Sequence, residues 1–434
     1  MLLIAGVNGR QSAHDKLYWA EWGILYFFAA VPHNPRPIMK ITRLFKDFFQ
    51  SERASGYVLI GTTIISLLLA NLLIGQDFVD FFHQKVGFDG PGVHLKLSVE
   101  HWINDGLMTI FFLLVGLEIE REVYIGELSS IRNASLPLFA ALGGMVFPFL
   151  IHLAFNYGLP TQDGGGIPMA TDIAFAIGIL SLGKRVPYAL KVFLTAFAII
   201  DDLGAILVIA FFYTKSLQLL YLLGALGFWA LAFLCNRLKV YRIWVYVLLG
   251  IGLWYCMLQS GVHATLAGVL LAFAMPFGNG DEQSLSYRVQ HALHYPVAFI
   301  VLPIFALANT GIIISNTWFS DLQNPNSLGI MLGLVAGKPI GIMAFCGMAV
   351  AFGWSRLPGE VTWKHLLAAG ILGGIGFTMS IFITLLAFDD ATHTNESKMA
   401  ILAASTIASV LGLAVLSWAG KNQPNTLMPA EDIE

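Results

Sequence analysis

The chain has 434 residues, of which 57% are hydrophobic and 12% charged, with a formal net charge of −3. A soluble domain averages about 45–50% apolar and about 25% charged residues, so the composition excludes a soluble globular enzyme, a disordered chain and a secreted disulfide scaffold. What remains is a polytopic membrane protein, with no basic footprint for nucleic acid.

Residues 1–38 read unlike the rest. Their apolar run, Tyr18 to Val31, is interrupted by Glu21 and is shorter than the roughly 20 residues a span needs. Neither a clean basic n-region nor a small-residue cleavage site marks a signal peptide. The segment ends in VPHNPRP, an extended Pro-rich stretch. Met39 to Lys46 then reads as a natural start, a short basic amphipathic helix on the membrane surface. An extra interfacial helix in 1–38 is the alternative. The expected organisation is an extension 1–38, a transmembrane domain 39–420 and a cytoplasmic tail 421–434.

Hydropathy marks about twelve segments that cross or enter a bilayer of about 30 Å. They lie near 56–75, 103–119, 136–158, 168–182, 189–213, 217–235, 243–258, 262–276, 291–312, 329–350, 366–388 and 399–419. Alternate connections, among them those with Arg121, Arg132, Lys184, Arg185, Arg237, Arg288, Arg356 and Lys421, carry sixteen Lys and Arg residues. The others carry four: Lys85, Lys96, Lys215 and Lys398. This asymmetry places both termini in the cytoplasm. Cys235, Cys256 and Cys346 lie buried in apolar runs, and an odd set makes neither a disulfide framework nor a metal site.

The longest outer connection, 76–102, contains a Gly-Pro-Gly turn followed by alternation at Val93, Leu95, Leu97 and Val99, which reads as a β-hairpin. Its free edges suit pairing with a second copy, and a self-contained loop is the alternative. Asp105 and His263 lie near the outer ends of the second and eighth segments, where a structural role is the first expectation. Glu118, Arg121 and Glu122 share one helix face at the inner end of the second segment.

The fourth and eleventh segments are interrupted. Gly164-Gly165-Gly166 and Pro168 precede Ala170-Thr171-Asp172 in one, and Gly370, Gly373, Gly374 and Gly376 precede Phe377-Thr378-Met379-Ser380 in the other. Broken helices at corresponding positions of two halves point to a transporter built from inverted repeats, here segments 3–5 and 10–12. Asp172 suits the positive end of a half-helix, as an N-cap or as a compensating charge, with Thr171 adding oxygens.

Asp201-Asp202 lie inside the apolar fifth segment. One carboxylate at such depth costs roughly 2.5–3.5 kcal/mol. Two neighbours repel each other when both ionise, so the pair either holds a proton or releases it and binds a hard cation. Competition of proton and cation for the same oxygens is the chemistry of exchange. Consecutive helix positions lie about 100° apart, so the two need not act alike. Lys338, in GLVAGKPIGIMAF, is the one basic residue deep in a span and needs a carboxylate such as Asp201 or Asp202. His291 and His294, at the inner start of the ninth segment, titrate where cytoplasmic pH varies.

These stretches together resemble the bacterial NhaA sodium/proton antiporter family, from about Met39 to Lys421. FFLLVGLEIERE, PMATDIAFAIGIL, FLTAFAIIDDLGAILVIAFFYT, SGVHATLAGVLLAF, LPIFALANTGI, GKPIGI and GGIGFTMSIFI carry the resemblance. It implies an all-α polytopic membrane protein with twelve spans, inverted repeats and two discontinuous crossing helices, plus a small extracytoplasmic β-hairpin. It implies electrogenic, pH-regulated exchange of cytoplasmic sodium or lithium for protons in the inner membrane. Homodimers would form through the 76–102 hairpin, and no cofactor is expected. By motif, Asp201 and Asp202 bind the transported ion, Asp172 is the charge between the half-helices, and Lys338 is the positive partner of Asp201. Glu118, Arg121, Glu122, Arg288, His291 and His294 fall in the pH-response cluster. Asp105 and His263 stay candidate auxiliary residues on the residue reading alone. One departure is Gln290, where the family typically has a glutamate; this bears on the pH threshold.

Other classes fit less well. An intramembrane aspartyl protease places its two aspartates on different helices. A prenyl transferase needs spaced aspartate-rich motifs. A sodium-coupled symporter needs a larger polar cavity, and a channel needs a ring or filter motif.

Overall fold

In lipid the backbone polar groups have only each other to pair with, so the apolar segments wind into helices. The structure, a computed structural model, describes residues 52–90, 93–183, 186–214, 217–314 and 316–420. The extension 1–38, the surface helix expected over Met39 to Lys46 and the tail 421–434 lie outside the described residues.

The principal helices are α1 (Ala54–Leu73), α2 (Val99–Tyr124), α3 (Ile131–Asn156), α4 (Ile173–Leu180), α5 (Tyr188–Phe212), α6 (Leu219–Arg237) and α7 (Ile243–Ser260). They continue with α8 (Leu266–Ala274), α9 (Leu285–Asn309), α10 (Pro325–Ala351), α11 (Trp363–Gly373), α12 (Phe377–Ala387) and α13 (Ala391–Ala419). Among the described residues, nine helices are long and apolar enough to cross a membrane, and α11 with α12 adds a tenth span bent by 44°.

Besides the bent eleventh segment, two others are not continuous spans, the fourth as expected from its glycines and the eighth not. The fourth is a 3-10 helix, Gln162–Met169, then an extended stretch, then the eight residues of α4. Its glycines favour no helix, and Pro168 withholds an amide. The eighth contributes only the nine residues of α8, because Pro276 holds Met275 in an extended conformation (ψ 150) and stops the helix there. Lys398, expected in an outer connection, is buried within α13. That helix begins earlier than expected because Asp390 caps it, its Oδ2 accepting from His393 N at 3.1 Å. Of the cysteines, Cys346 is buried while Cys235 and Cys256 are only half-buried, and all three are free.

Where the sequence predicts a hairpin, two short antiparallel ladders form. β1 (Lys85–Val86) and β2 (Asp89–Gly90) pair with β4 (Leu97–Ser98) and β3 (Val93–His94), in the register Lys85 to Ser98 and Asp89 to His94. A helix, Gln76–His83, precedes them.

Two features place the site. Gly143 of α3 and Gly341 of α10 meet backbone to backbone, since a Cβ on either would overlap the other's carbonyl. That draws α10 against α3. Within α10, Pro339 cannot donate to residue 335, and the helix widens into a π turn over Gly333–Gly337 just ahead of Lys338.

Candidate ion-binding site

The two broken segments cross at their breaks. Asp172 N donates to Ile375 O at 2.7 Å, and Thr171 Oγ1 donates to Gly373 O at 2.9 Å. Gly374 lets the second break lie against α10, because a Cβ there would overlap Leu334 O. Two half-helices, α4 and α12, therefore start beside each other in the interior.

Asp172 serves both starts. Its Oδ1 accepts from Phe175 N of α4 at 2.9 Å, and its Oδ2 accepts from Thr378 N of α12 at 3.1 Å. The Thr378 hydroxyl donates to the same Oδ2. One carboxylate thus compensates the positive ends of two helices. The opposite polarity appears at the C-terminal end of Gln162–Met169, where Lys338 Nζ donates to Met169 O. Lys338 Nζ also donates to Asp201 Oδ2 at 2.8 Å.

Asp201 and Asp202 are both buried, on the interior face of α5. Asp201 is held through Oδ2, while its Oδ1 has no hydrogen-bond partner among the described residues. The Oδ1 of Asp202 has none either. A buried polar atom without a partner is rare, and these two lie on adjacent residues. Their chemistry suits a proton or a hard monovalent cation.

A cavity of about 430 Å³ borders α5 on the approach to this pair without being lined by either carboxylate. Its walls include Ile173 and Ile177 of α4 and Thr195 and Ile199 of α5. Asp202 continues the Thr195–Ile199 face of α5, one turn deeper. At the other end the walls hold Glu118, Arg121 and Glu122 of α2 with Gln290 and His294 of α9. Glu118 Oε1 lies 3.9 Å from His294 Nδ1. Arg288 and His291 do not line the cavity. His291 stacks on Tyr287, over whose ring the Arg121 guanidinium sits at 5.5 Å.

Asp105 and His263 stand apart from the carboxylates. Asp105 lies in a π turn of α2, its carbonyl accepting from Trp254 Nε1 at 2.9 Å. His263 Nε2 donates to Tyr213 O at 2.9 Å.

Sequence reasoning missed Thr378 and Tyr213. Thr378 occupies in the second repeat a place related to that of Asp172 in the first, and that symmetry was the available signal. The Tyr213 hydroxyl accepts from Gly166 N at 3.2 Å and donates to Asp163 O at 2.8 Å. It ties the end of α5 to the 3-10 helix, and nothing local in the sequence marks it.

Comparison with known proteins gives a consistent result. Residues 46–416 match the family described as Na+/H+ antiporter 1. A Cytophaga hutchinsonii protein named Na(+)/H(+) antiporter NhaA is 56% identical over 376 residues, 86% of this chain and 95% of that one. The Flavobacterium johnsoniae protein named Na(+)/H(+) antiporter NhaA 1 is 54% identical over 389 residues, 89% of this chain and 100% of that one. A solved sodium proton antiporter of Methanocaldococcus jannaschii overlays with a TM-score of 0.48 at 14% identity, covering 93% of this chain and 100% of that one.

Proposed function

The chain belongs to the Na+/H+ antiporter 1 family, as a multi-pass membrane protein, and from that membership we propose that it exchanges sodium or lithium for protons across the bacterial inner membrane. The observation that carries the assignment to residues is the pair Asp201 and Asp202, buried side by side with one unpartnered oxygen each. Asp202 is the principal site of competition between proton and cation. Asp201 shares that role through its exchange of partners with Lys338.

The cycle follows from charge. With the site facing the cytoplasm, two protons leave and one monovalent cation binds between the carboxylates. The loaded site reorients by movement of the bundle that contains the crossed helices. The cation leaves outside, two protons return, and the site turns back. Two protons inward against one monovalent cation outward moves one net positive charge, so exchange is electrogenic. The empty, fully ionised site carries uncompensated charge and does not cross. Asp172 and Lys338 hold the half-helix ends in register during that motion, and Thr171 supplies oxygens beside them.

Glu118, Arg121, Glu122 and His294 on the cavity wall, with Arg288 and His291 nearby on α9, set the pH at which protons leave the site. The protein works as a homodimer joined through the 76–102 hairpin, with both termini in the cytoplasm.

The test uses everted vesicles from an antiporter-deficient strain, acidified by a proton pump and followed with a ΔpH dye. Addition of Na+ or Li+ is expected to release protons with wild type, more strongly at alkaline pH, and not with Asp202→Asn. No response to either cation between pH 6.5 and 9, with protein confirmed in the membrane, overturns the reading.

A further inference from the structure

A second cavity, of about 860 Å³, opens where the N-termini of α3 and α5 meet the loop after α10. Its floor is apolar, formed by the buried Leu136, Phe193 and Ala196. Its rim is exposed and carries Arg132 and Arg356 beside the rings of Tyr188 and Trp354. Neither guanidinium has an ion-pair or hydrogen-bond partner among the described residues. One carboxylate, Glu127, also lines the cavity, and its Oε2 accepts from Asn133 Nδ2 at 3.2 Å.

The backbone adds to the positive field. Neither Ser130, before α3, nor Pro187, before α5, caps its helix with a side chain. The first amides of two long helices therefore border the cavity without a capping side chain, and their positive dipole ends converge there. Helix N-termini combined with arginines make a phosphate-binding environment.

We propose that this cavity binds the headgroup of an anionic phospholipid. Phosphate is the shared chemistry of a lipid headgroup and a free anion, and the apolar floor decides between them. A free phosphate has no use for Leu136, Phe193 and Ala196, whereas the glycerol and first methylenes of a lipid cover them. The volume exceeds what a bare phosphate fills. Tyr188 and Trp354 are the aromatic types that settle at the headgroup level. Arg132 and Arg356 belong to the Lys- and Arg-rich connections, so the lipid comes from the cytoplasmic leaflet, where basic pockets between helices recruit anionic headgroups.

A chain of ring contacts links the cavity floor to Lys338. Phe193 in the floor stacks on Phe197 at 6.4 Å between centroids, and the Phe197 ring lies 6.0 Å from Lys338 Nζ. Headgroup binding thus bears on the helix that carries Asp201 and Asp202.

The test reads lipid binding and is independent of the antiport reading. Full-length protein in mild detergent is offered phosphatidylglycerol and phosphatidylcholine of identical acyl chains, and retained lipid is read by native mass spectrometry. Wild type is expected to retain phosphatidylglycerol preferentially. R132Q and R356Q each weaken the preference, and R132Q/R356Q reduces it by about tenfold or more. Should the double variant misfold, wild type alone decides: the preference must fall as salt rises. Equal retention of both lipids, a salt-independent preference, or a preference unchanged in a folded double variant overturns the proposal. So does calorimetric binding of inorganic phosphate alone that needs both arginines, without any lipid preference.

Discussion

Lys338 Nζ lies 2.8 Å from Asp201 Oδ2, and both side chains are sealed from solvent. A buried pair of this kind is held together by the expense of separating it, since removing one partner strands the other charge at about 3–5 kcal/mol. Lys338→Gln and Asp201→Asn are each expected to lower the thermal midpoint in detergent by several degrees. The combination of Lys338→Gln with Asp201→Asn is expected to recover most of that loss while remaining inactive. Additive losses in the double variant would mean that the two side chains do not act as a pair.

Asp202 stands in contrast to its neighbour. Its Oδ1 has no hydrogen-bond partner among the described residues, so replacement by Asn breaks no contact of that atom. Asp202→Asn is expected to keep the wild-type thermal midpoint within about 1 °C, a ΔΔG of a few tenths of a kcal/mol. Sodium-dependent proton release falls to background. Equal thermal damage from Asp201→Asn and Asp202→Asn would show that the two carboxylates are held alike, contrary to the geometry.

Asp172 joins two helices through one carboxylate, with Oδ1 on Phe175 N and Oδ2 on Thr378 N. Loss of a cap costs about 0.5–2 kcal/mol. Asp172→Ala is therefore expected to remove two caps and destabilise by about 1–4 kcal/mol. Asp172→Asn retains one acceptor and is expected to fall between Ala and wild type. Thr378→Val probes the α12 side alone and should cost less than Asp172→Ala. The thermal midpoints of the four proteins give the order.

Much of this site was legible in the sequence because charge in an apolar run is conspicuous. Asp201, Asp202 and Lys338 stood out by depth, and the glycines of both broken segments stood out by spacing. The residues alone left the partner of Lys338 open between two aspartates, because adjacent helix positions point about 100° apart, and only the family resemblance favoured Asp201. Thr378, whose amide and hydroxyl both donate to the Asp172 carboxylate, was legible only through the repeat symmetry, and Tyr213 was not legible at all: its hydroxyl serves backbone groups more than forty residues away, which periodicity does not encode. The starts of the helices misled at Lys398, where polar side chains hid a helix that Asp390 had already capped.

Tyr213 offers a test of the link between α5 and the 3-10 helix. Tyr213→Phe removes the hydroxyl that serves Gly166 N and Asp163 O. Buried backbone groups left without a partner cost about 1–3 kcal/mol. The variant is expected to be less stable by that amount, with faster hydrogen exchange confined to residues 162–169. Exchange unchanged in that segment would show that the hydroxyl does not hold it.

Gln290 lies on the wall of the cavity that also holds Glu118, Glu122, Arg121 and His294. Gln290→Glu adds an anion to that wall without changing side-chain volume. A more negative cavity retains protons to higher pH, because each proton bound there neutralises charge rather than adding to it. The onset of sodium-dependent proton release is therefore expected to move toward alkaline pH relative to wild type. The shift should shrink as salt is raised, since Glu118 and His294 on that wall are partly exposed and so within reach of solvent ions. The opposite charge change, Glu118→Gln, should move the onset the other way. Measurement of dye recovery against pH for the three proteins at two salt concentrations decides the matter. An onset that ignores both substitutions would remove this cavity from the control of pH and leave the response to Asp201 and Asp202 themselves.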